Sequence, residues 1–176
     1  MPMQRTIRAL IAGAALSALA HSAQAATITQ ILDFSASGFG AGAPVDPVTG
    51  SFTVTYDPTL TYSNDTADIT LSSLNITLDP TFGFSYSSSL NQMFVGSTLN
   101  DVAGVVGGTN DFSLTISTAS TTPTFGFLQY AQGTDSVFQT TTGTVTPSVS
   151  VPEPASMAVL GAGLVGLGVA RRRRRG

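Results

Sequence analysis

Residues 51–56 read SFTVTY, and this stretch carries the pattern that decides the fold class. Its apolar side chains, Phe52, Val54 and Tyr56, alternate with three small hydroxyl residues. A period of two is typical of a β-strand with one buried and one solvated face. Threonine suits the solvated face because a β-branched side chain fits the extended backbone. The stretch therefore predicts a strand of an antiparallel sheet that covers a core on one side only.

The same alternation recurs on both sides of this strand. Towards the N-terminus, residues 26–34 place Ile28, Gln30, Leu32 and Phe34 on one side, although Ile31 breaks the pattern. Towards the C-terminus, similar short runs occupy residues 68–78, 111–118, 125–131 and 136–146, and the ambiguous residues 89–108 can hold a helical turn. Pro, Gly, Asn and Asp punctuate the intervals, as turns require. Seven or eight short strands predict an all-β ectodomain, either an antiparallel β-sandwich or a jelly-roll-like fold.

The charges are divided between the two ends and the middle of the chain. All seven basic residues and the single histidine lie in residues 1–25 and 171–176. Residues 26–150 contain nine aspartates and no Lys, Arg, His, Cys or Glu, which gives this part a formal charge of −9. Binding to nucleic acid is excluded because it requires cations that displace condensed counterions. The lack of cysteine also excludes disulfide bonds.

The same composition removes most catalytic chemistry from the middle of the chain. Histidine-based triads, cysteine nucleophiles, Schiff-base lysines and most zinc sites need residues that positions 26–150 do not contain. Paired aspartates could still support glycoside hydrolysis, but a single sequence does not show which aspartates are paired. We therefore expect this domain not to be an enzyme.

The first 25 residues have the layout of a secretory signal peptide. Arg5 and Arg8 precede an apolar run at residues 9–20, and small residues, Ala23 and Ala25, mark the cleavage point. This layout predicts export through the Sec machinery and cleavage by signal peptidase after Ala25. The ectodomain is then expected at residues 26–146, because prolines at 147, 152 and 154 indicate an extended linker over residues 147–154.

The last segment has the properties of a membrane anchor. Residues 155–170 are apolar, and a helix of this length measures about 24 Å at roughly 1.5 Å per residue. This is slightly short for a hydrocarbon core of about 30 Å, but arginines at the end of a helix can reach the headgroups. The cluster at residues 171–176, with Arg171, Arg172, Arg173, Arg174 and Arg175, predicts a stop-transfer signal held in the cytoplasm.

This tail resembles the PEP-CTERM sorting signal of Gram-negative bacteria. Pro152, Glu153 and Pro154, the apolar helix and the arginine cluster occur in the order of that family. The resemblance implies that an exosortase, a membrane-embedded transpeptidase-like enzyme, is the processing partner and cleaves at or near the motif. It also implies transient anchoring in the inner membrane, then delivery to the cell surface or the extracellular space, in bacteria that make exopolysaccharide and biofilm.

Calcium is the only cofactor for which the sequence offers a candidate site. Asp57, Asp65 and Asp68 fall in one turn-rich stretch, and calcium prefers carboxylate and carbonyl oxygens. The spacing lacks the pattern of an EF-hand loop, so solvated turn aspartates are the favoured interpretation and no cofactor is expected.

Two functions remain open for the ectodomain. One is a structural protein of the cell surface or matrix, and the other is a carbohydrate-binding module for the cell's own polysaccharide. Exposed Tyr56, Tyr62, Tyr86 or Tyr130 on one sheet face would favour the second, although core positions are the expectation for aromatic residues. The absence of tryptophan argues against carbohydrate binding.

Overall fold

The computed structural model of the protein describes residues 27–78 and 81–150. The predicted signal peptide with Ala23 and Ala25, the Pro152–Pro154 motif, the apolar helix and the arginine cluster lie outside the described residues. Within the described part, no helix has the length and apolar character needed to cross a bilayer.

Ten strands make up the described chain, with no helix between them. Their bounds are β1 Ile28–Ala36, β2 Val48–Tyr56, β3 Tyr62–Asp65, β4 Ile69–Leu74, β5 Phe82–Ser87, β6 Gln92–Ser97, β7 Asn110–Ser117, β8 Thr124–Gln132, β9 Phe138–Thr140 and β10 Gly143–Ser150. The predicted all-β class is confirmed for these residues. Residues 89–108, which were ambiguous in sequence, contain β6 and a loop rather than a helical turn.

The strands form two antiparallel sheets. Sheet A has the order β10-β1-β2-β4, and sheet B has the order β3-β5-β6-β7-β8-β9. Five consecutive strands, β5 to β9, form one meander in sheet B, whereas a jelly roll is built from two Greek keys. The sandwich alternative therefore describes the topology.

The core lies between the two sheets and follows the alternation seen in the sequence. In β2, the side chains of Phe52, Val54 and Tyr56 are buried, while the hydroxyl residues between them are partly exposed. Sheet B meets them with buried aromatic and aliphatic residues such as Phe84, Phe112 and Leu128. At roughly 25 cal/mol per Å² of apolar surface removed from water, this burial is the main force that holds the layers together.

Strand pairing defines two opposite ends of the sandwich. At the proximal end β1 begins and β10 ends, since Gln30 pairs with Ser150. The turns at this end cover residues 57–61, 88–91 and 118–123. At the distal end, loops 37–47, 98–109 and 133–137 join the other ends of the strands.

The C-terminal strand extends further than the sequence pattern indicated. Residues 136–146 form two strands in different sheets, β9 and the start of β10, and the chain changes sheet at residues 141–142. Strand β10 then continues to Ser150, so Pro147, Val149 and Ser150, which were assigned to the linker, pair with β1.

Two buried tyrosines differ in what their hydroxyl groups contact. Tyr130 donates to the carbonyl of Val45 at 2.6 Å and accepts from the Val45 amide at 3.2 Å. The hydroxyl of Tyr56 is buried and has no hydrogen-bond partner among the described residues. Burial, with a smaller contribution from Tyr86, raises the pKa of Tyr56, so its neutral form is favoured in the folded state.

We expect Tyr56→Phe and Tyr130→Phe to have different effects on stability. Removing the Tyr56 hydroxyl removes an unpaired polar group, so the free energy of unfolding should stay constant or rise. Removing the Tyr130 hydroxyl leaves the amide and the carbonyl of Val45 without this partner. The free energy of unfolding should then fall by about 1–2 kcal/mol. Urea unfolding at neutral pH, followed by circular dichroism, measures both. Equal losses of unfolding free energy in the two variants would contradict the difference in hydrogen bonding between the Tyr56 and Tyr130 hydroxyls.

Candidate functional site

Strand β10 forms the junction between the folded domain and the tail. It is an edge strand that pairs only with β1, from Ala36 opposite Gly143 to Gln30 opposite Ser150. A register shift places Ile31 opposite Val149 and Leu32 opposite Pro147, so Ser148 is the additional residue of a bulge. Proline lacks an amide hydrogen and is tolerated at sheet edges and bulges, which explains how Pro147 can lie within this strand.

A side-chain hydrogen bond connects the bulge to the neighbouring strand. The hydroxyl of Ser148 donates to the Asp33 carboxylate, across 115 positions in sequence. Hydrogen bonds from Ser148 and from Ser51, which lies opposite Asp33 in β2, lower the pKa of the Asp33 carboxyl group, because both stabilise its ionised form. The only acidic side chain of β1 therefore contacts residues of both neighbouring strands.

The described structure ends where a known sorting signal begins. Residues 150–175 match the PEP-CTERM protein-sorting motif. The match contains Pro152, Glu153, Pro154 and Arg171–Arg175, and it confirms the resemblance drawn from the tail. The PEP-CTERM motif indicates an exported protein that is targeted by an exosortase, through the membrane to the cell surface. Only Ser150 belongs both to the motif and to the described fold, so strand β10 leads into the signal without an intervening loop.

The PEP-CTERM match covers 26 residues and does not extend into the sandwich. No curated protein matches this chain, and no solved structure matches it either. The role of the ectodomain must therefore be argued from its own geometry.

The three calcium candidates lie in two separate turns. Asp57 accepts hydrogen bonds from the amide and hydroxyl of Thr59 at 2.8 and 2.7 Å, within the β2–β3 turn. Asp65 accepts from the amides of Ala67 and Asp68 at 2.9 and 3.2 Å, within the β3–β4 turn. Across residues 27–78 and 81–150, no three acidic side chains come together in a geometry that could hold a metal ion. The carboxylates of Asp57 and Asp65 instead stabilise their own turns.

The four tyrosines belong to the core and do not form a binding platform. Tyr56, Tyr86 and Tyr130 are almost completely buried, and Tyr62 is partly buried against Tyr56 and Phe84. The arrangement that would have favoured carbohydrate binding, with tyrosines exposed along one sheet face, is absent from the described residues.

A groove at the distal end was not visible in the sequence. It is open to solvent, has a volume of about 310 Å³ and is lined by Gly38, Phe127, Gln139, Thr140, Thr141 and Thr142. Gly38 adopts a φ of 80°, which favours glycine, and its amide donates to the Asp46 carboxylate at 3.1 Å. The buried Thr140 donates to the carbonyl of Ser37 at 2.8 Å, so the loop after β1 is fixed against β9. Residues about 100 positions apart build this groove, and no local motif marks it.

We expect the contribution of Asp33 to stability to depend on pH. Its pKa lies below the ordinary value of 3.8 in the folded state. The stabilisation is therefore complete above the pKa of the unfolded chain and is lost as the pH falls through the lower folded pKa. Asp33→Asn should lower the melting temperature at neutral pH, and the difference from wild type should shrink as the pH falls through the folded pKa, because the carboxyl group becomes neutral in both states.

The control for this prediction is Ser148→Ala, which removes the Ser148 hydroxyl that donates to Asp33 and leaves the Asp33 carboxylate in place. If Asp33 and Ser148 stabilise the junction together, the double variant should lose less than the sum of the two single variants at neutral pH. Additive losses, or a difference that is constant from neutral to acidic pH, would show that this hydrogen bond does not stabilise the fold.

Proposed function

We propose that this chain is an exported structural protein of the cell surface or extracellular matrix, associated with exopolysaccharide in biofilm. In this proposal, residues 1–25 direct export, residues 155–170 anchor the chain transiently in the inner membrane, and an exosortase cuts near Pro152–Pro154. The observation that carries the proposal is the continuity between an independently packed β-sandwich and a PEP-CTERM signal directly after its last strand.

The physical properties of the tail support temporary retention of the chain in the membrane during export. Five adjacent arginines resist translocation, and an apolar run of about 24 Å is slightly short for a hydrocarbon core of about 30 Å, so it holds the chain only marginally. Prolines at 152 and 154 prevent the helix from extending into the motif. The motif is therefore expected to remain extended at the outer face, where Glu153 offers a charge for recognition.

The composition of the ectodomain supports a non-catalytic role. Residues 26–150 offer only Asp, Ser, Thr and Tyr as groups for acid–base or nucleophilic chemistry. A serine or threonine nucleophile requires an activating base, and the most common bases, His and Lys, do not occur there.

Carbohydrate binding is the second candidate function, and the distal groove favours it. Phe127 is the aromatic residue of its lining, and Gln139 and three threonines contribute hydrogen-bond donors and acceptors. Sugars are recognised by this combination of an aromatic face and several neutral polar groups. Thr141 and Thr142 of the groove come just before the first residue of β10, Gly143, whereas the sorting signal begins at its last residue, Ser150, so a ligand in the groove would leave the signal free.

Intact-mass measurement with and without trypsin tests the sorting proposal. Cleavage near Pro152–Pro154 would release a mature domain with no Lys or Arg, which trypsin cannot cut. In a host with active exosortase, we expect a mass that ends near the motif and does not change with trypsin. Glu153→Ala should leave a longer, membrane-bound form that trypsin shortens at Arg171–Arg175, whereas Asp135→Ala, which removes an exposed acid outside the motif, should be processed normally.

The sorting proposal fails if the wild-type chain keeps its arginines in such a host. The tail would then be a permanent anchor.

Cosedimentation with the host's purified polysaccharide tests the second function. If the groove binds sugar, Phe127→Ala should weaken binding measurably, since the substitution removes apolar surface against which a sugar ring would be buried, at roughly 25 cal/mol per Å². Phe94→Ala is the matched control, because Phe94 is also a half-buried phenylalanine but does not line the groove. If both variants bind the polysaccharide as tightly as wild type does, the groove is not a carbohydrate site and only the structural role remains as a proposal.

A further inference from the structure

Two leucines at the proximal end are unusually exposed. Leu60 retains 55% of its accessible surface and Leu90 retains 70%, the highest values among the exposed large hydrophobic residues of the described chain. Leu60 belongs to the 57–61 turn and Leu90 to the 88–91 hairpin. These turns are adjacent, because the hydroxyls of Thr61 and Ser88 are hydrogen-bonded at 3.1 Å. We call the two turns with their leucines the proximal patch.

Hydrogen bonds hold the proximal patch in place. In the first turn, the Leu60 amide donates to the Asp57 carbonyl at 3.1 Å, and the Asp57 amide donates to the Tyr62 hydroxyl at 2.8 Å. In the second, Asn91 adopts a φ of 48°, and its side-chain oxygen accepts from Tyr86 at 3.1 Å and from the Ser120 amide at 2.9 Å. The leucines are therefore presented on turns that hydrogen bonds hold in place, with more than half of each residue exposed.

The chain leaves the sandwich at the same end. Ser150 pairs with Gln30, and the Gln30 side chain donates to the Ala119 carbonyl at 3.1 Å. The Ala119 amide in turn donates to the Asn91 carbonyl at 3.1 Å, next to Leu90. A continuous series of contacts thus connects the end of β10 to the proximal patch.

Chain length places this patch close to any membrane that holds the tail. Only residues 151–154 separate β10 from the apolar run that begins at residue 155. Four residues span at most about 14 Å when fully extended, at roughly 3.3–3.6 Å each. The headgroup region is about 5–8 Å thick on each side of the hydrocarbon core. The patch therefore lies within reach of the headgroups.

The charges near the patch indicate which kind of contact it can make. The three proximal turns contain one acid, Asp57, whose carboxylate is hydrogen-bonded to Thr59, and Asp68 lies beside them, next to Thr55 of β2. Residues 26–150 contain no cation that could bind anionic lipid. Attraction to a membrane must come from the leucines, which favours a shallow apolar contact that depends on the tether.

We propose that the proximal patch docks on the lipid surface in which residues 155–170 are inserted, with Leu60 and Leu90 at the boundary between the headgroups and the acyl chains. This inference rests on the membrane insertion contained in the proposed function. Docking orients the sandwich with its proximal end towards the membrane. It also keeps the PEP-CTERM motif at the membrane face, where it is cut. Because the leucines alone bind lipid weakly, cleavage of the tail removes the tether and releases the domain.

The chain contains no tryptophan, so a single substitution supplies a specific fluorescent reporter. Leu90→Trp places it in the proximal patch, and Leu99→Trp places a matched control on the distal loop, where Leu99 is also exposed, at 40%. Each full chain is purified from membranes of a host without exosortase and reconstituted into phosphatidylcholine vesicles with or without bromine on the acyl chains. Insertion by about 5–10 Å should bring the reporter at position 90 to the bromines and quench it roughly twofold, with a blue-shifted spectrum.

The control at position 99 should keep its fluorescence in both kinds of vesicle. Leu60→Ser in the Leu90→Trp background should reduce the quenching, and so should a flexible insertion of about 12 residues after Ser150, which lengthens the tether. Circular dichroism checks that each variant keeps the wild-type fold.

The possible failures can be told apart. If the chain floats with the vesicles and position 90 is not quenched, docking is wrong and the sorting proposal stands. If the chain does not float with the vesicles, membrane insertion is wrong and both proposals fail. Equal quenching at positions 90 and 99 contradicts an orientation in which only the proximal end faces the membrane. Quenching that requires co-reconstituted exosortase shows that the patch contacts the enzyme instead of lipid, and it overturns the inference.

Discussion

Aromatic packing between the two sheets is the interaction on which the rest of the structure depends. Phe34 of sheet A stacks on Phe112 of sheet B with ring centroids 5.6 Å apart, and Tyr56 meets Tyr86 at 4.7 Å. Residues 26–150 have neither cysteines nor basic side chains, so no disulfide bond or internal side-chain ion pair can join the layers. Apolar burial therefore supplies the cohesion between the sheets, and the turns and edge strands take their positions from it.

This constraint also determines how the aspartates are accommodated. Because residues 26–150 contain no basic side chain, backbone amides and hydroxyl groups act as hydrogen-bond donors to these aspartates. Asp57 and Asp65 stabilise the turns that contain them, and Asp46 accepts from the amides of Gly38 and Phe39. The buried Asp111 accepts from the amides of Val106 and Phe112 at 2.9 and 2.7 Å. A domain with a formal charge of −9 can thus fold because its carboxylates organise loops instead of forming salt bridges.

The strand order places the exit of the chain and the loop that contributes Gly38 to the groove at different ends of the molecule. The proximal end carries the exit of the chain, the PEP-CTERM motif that follows it and the exposed leucines. The distal end carries the groove with Phe127, together with loops that contain Asp46, Asp101 and Asp135. In the proposed function, the first end serves processing at the membrane and the second faces the surroundings, where polysaccharide would be met. The two roles then do not compete for the same surface.

The sequence by itself determined the all-β class, the buried face of the main strands and the sorting signal. Alternation even placed Gln30 correctly among the buried residues of β1, because a period of two depends only on local backbone geometry. Sequence did not reveal β3, which has four residues in a turn-rich stretch and pairs with β5, and it did not reveal β5. It also gave a single run at residues 136–146, where the structure has β9 and the start of β10 in different sheets. Nor did it indicate the Asp33–Ser148 contact, the extension of β10 past Pro147 or the distal groove. These features join residues far apart in the chain, and only the tertiary structure decides which distant strands become neighbours.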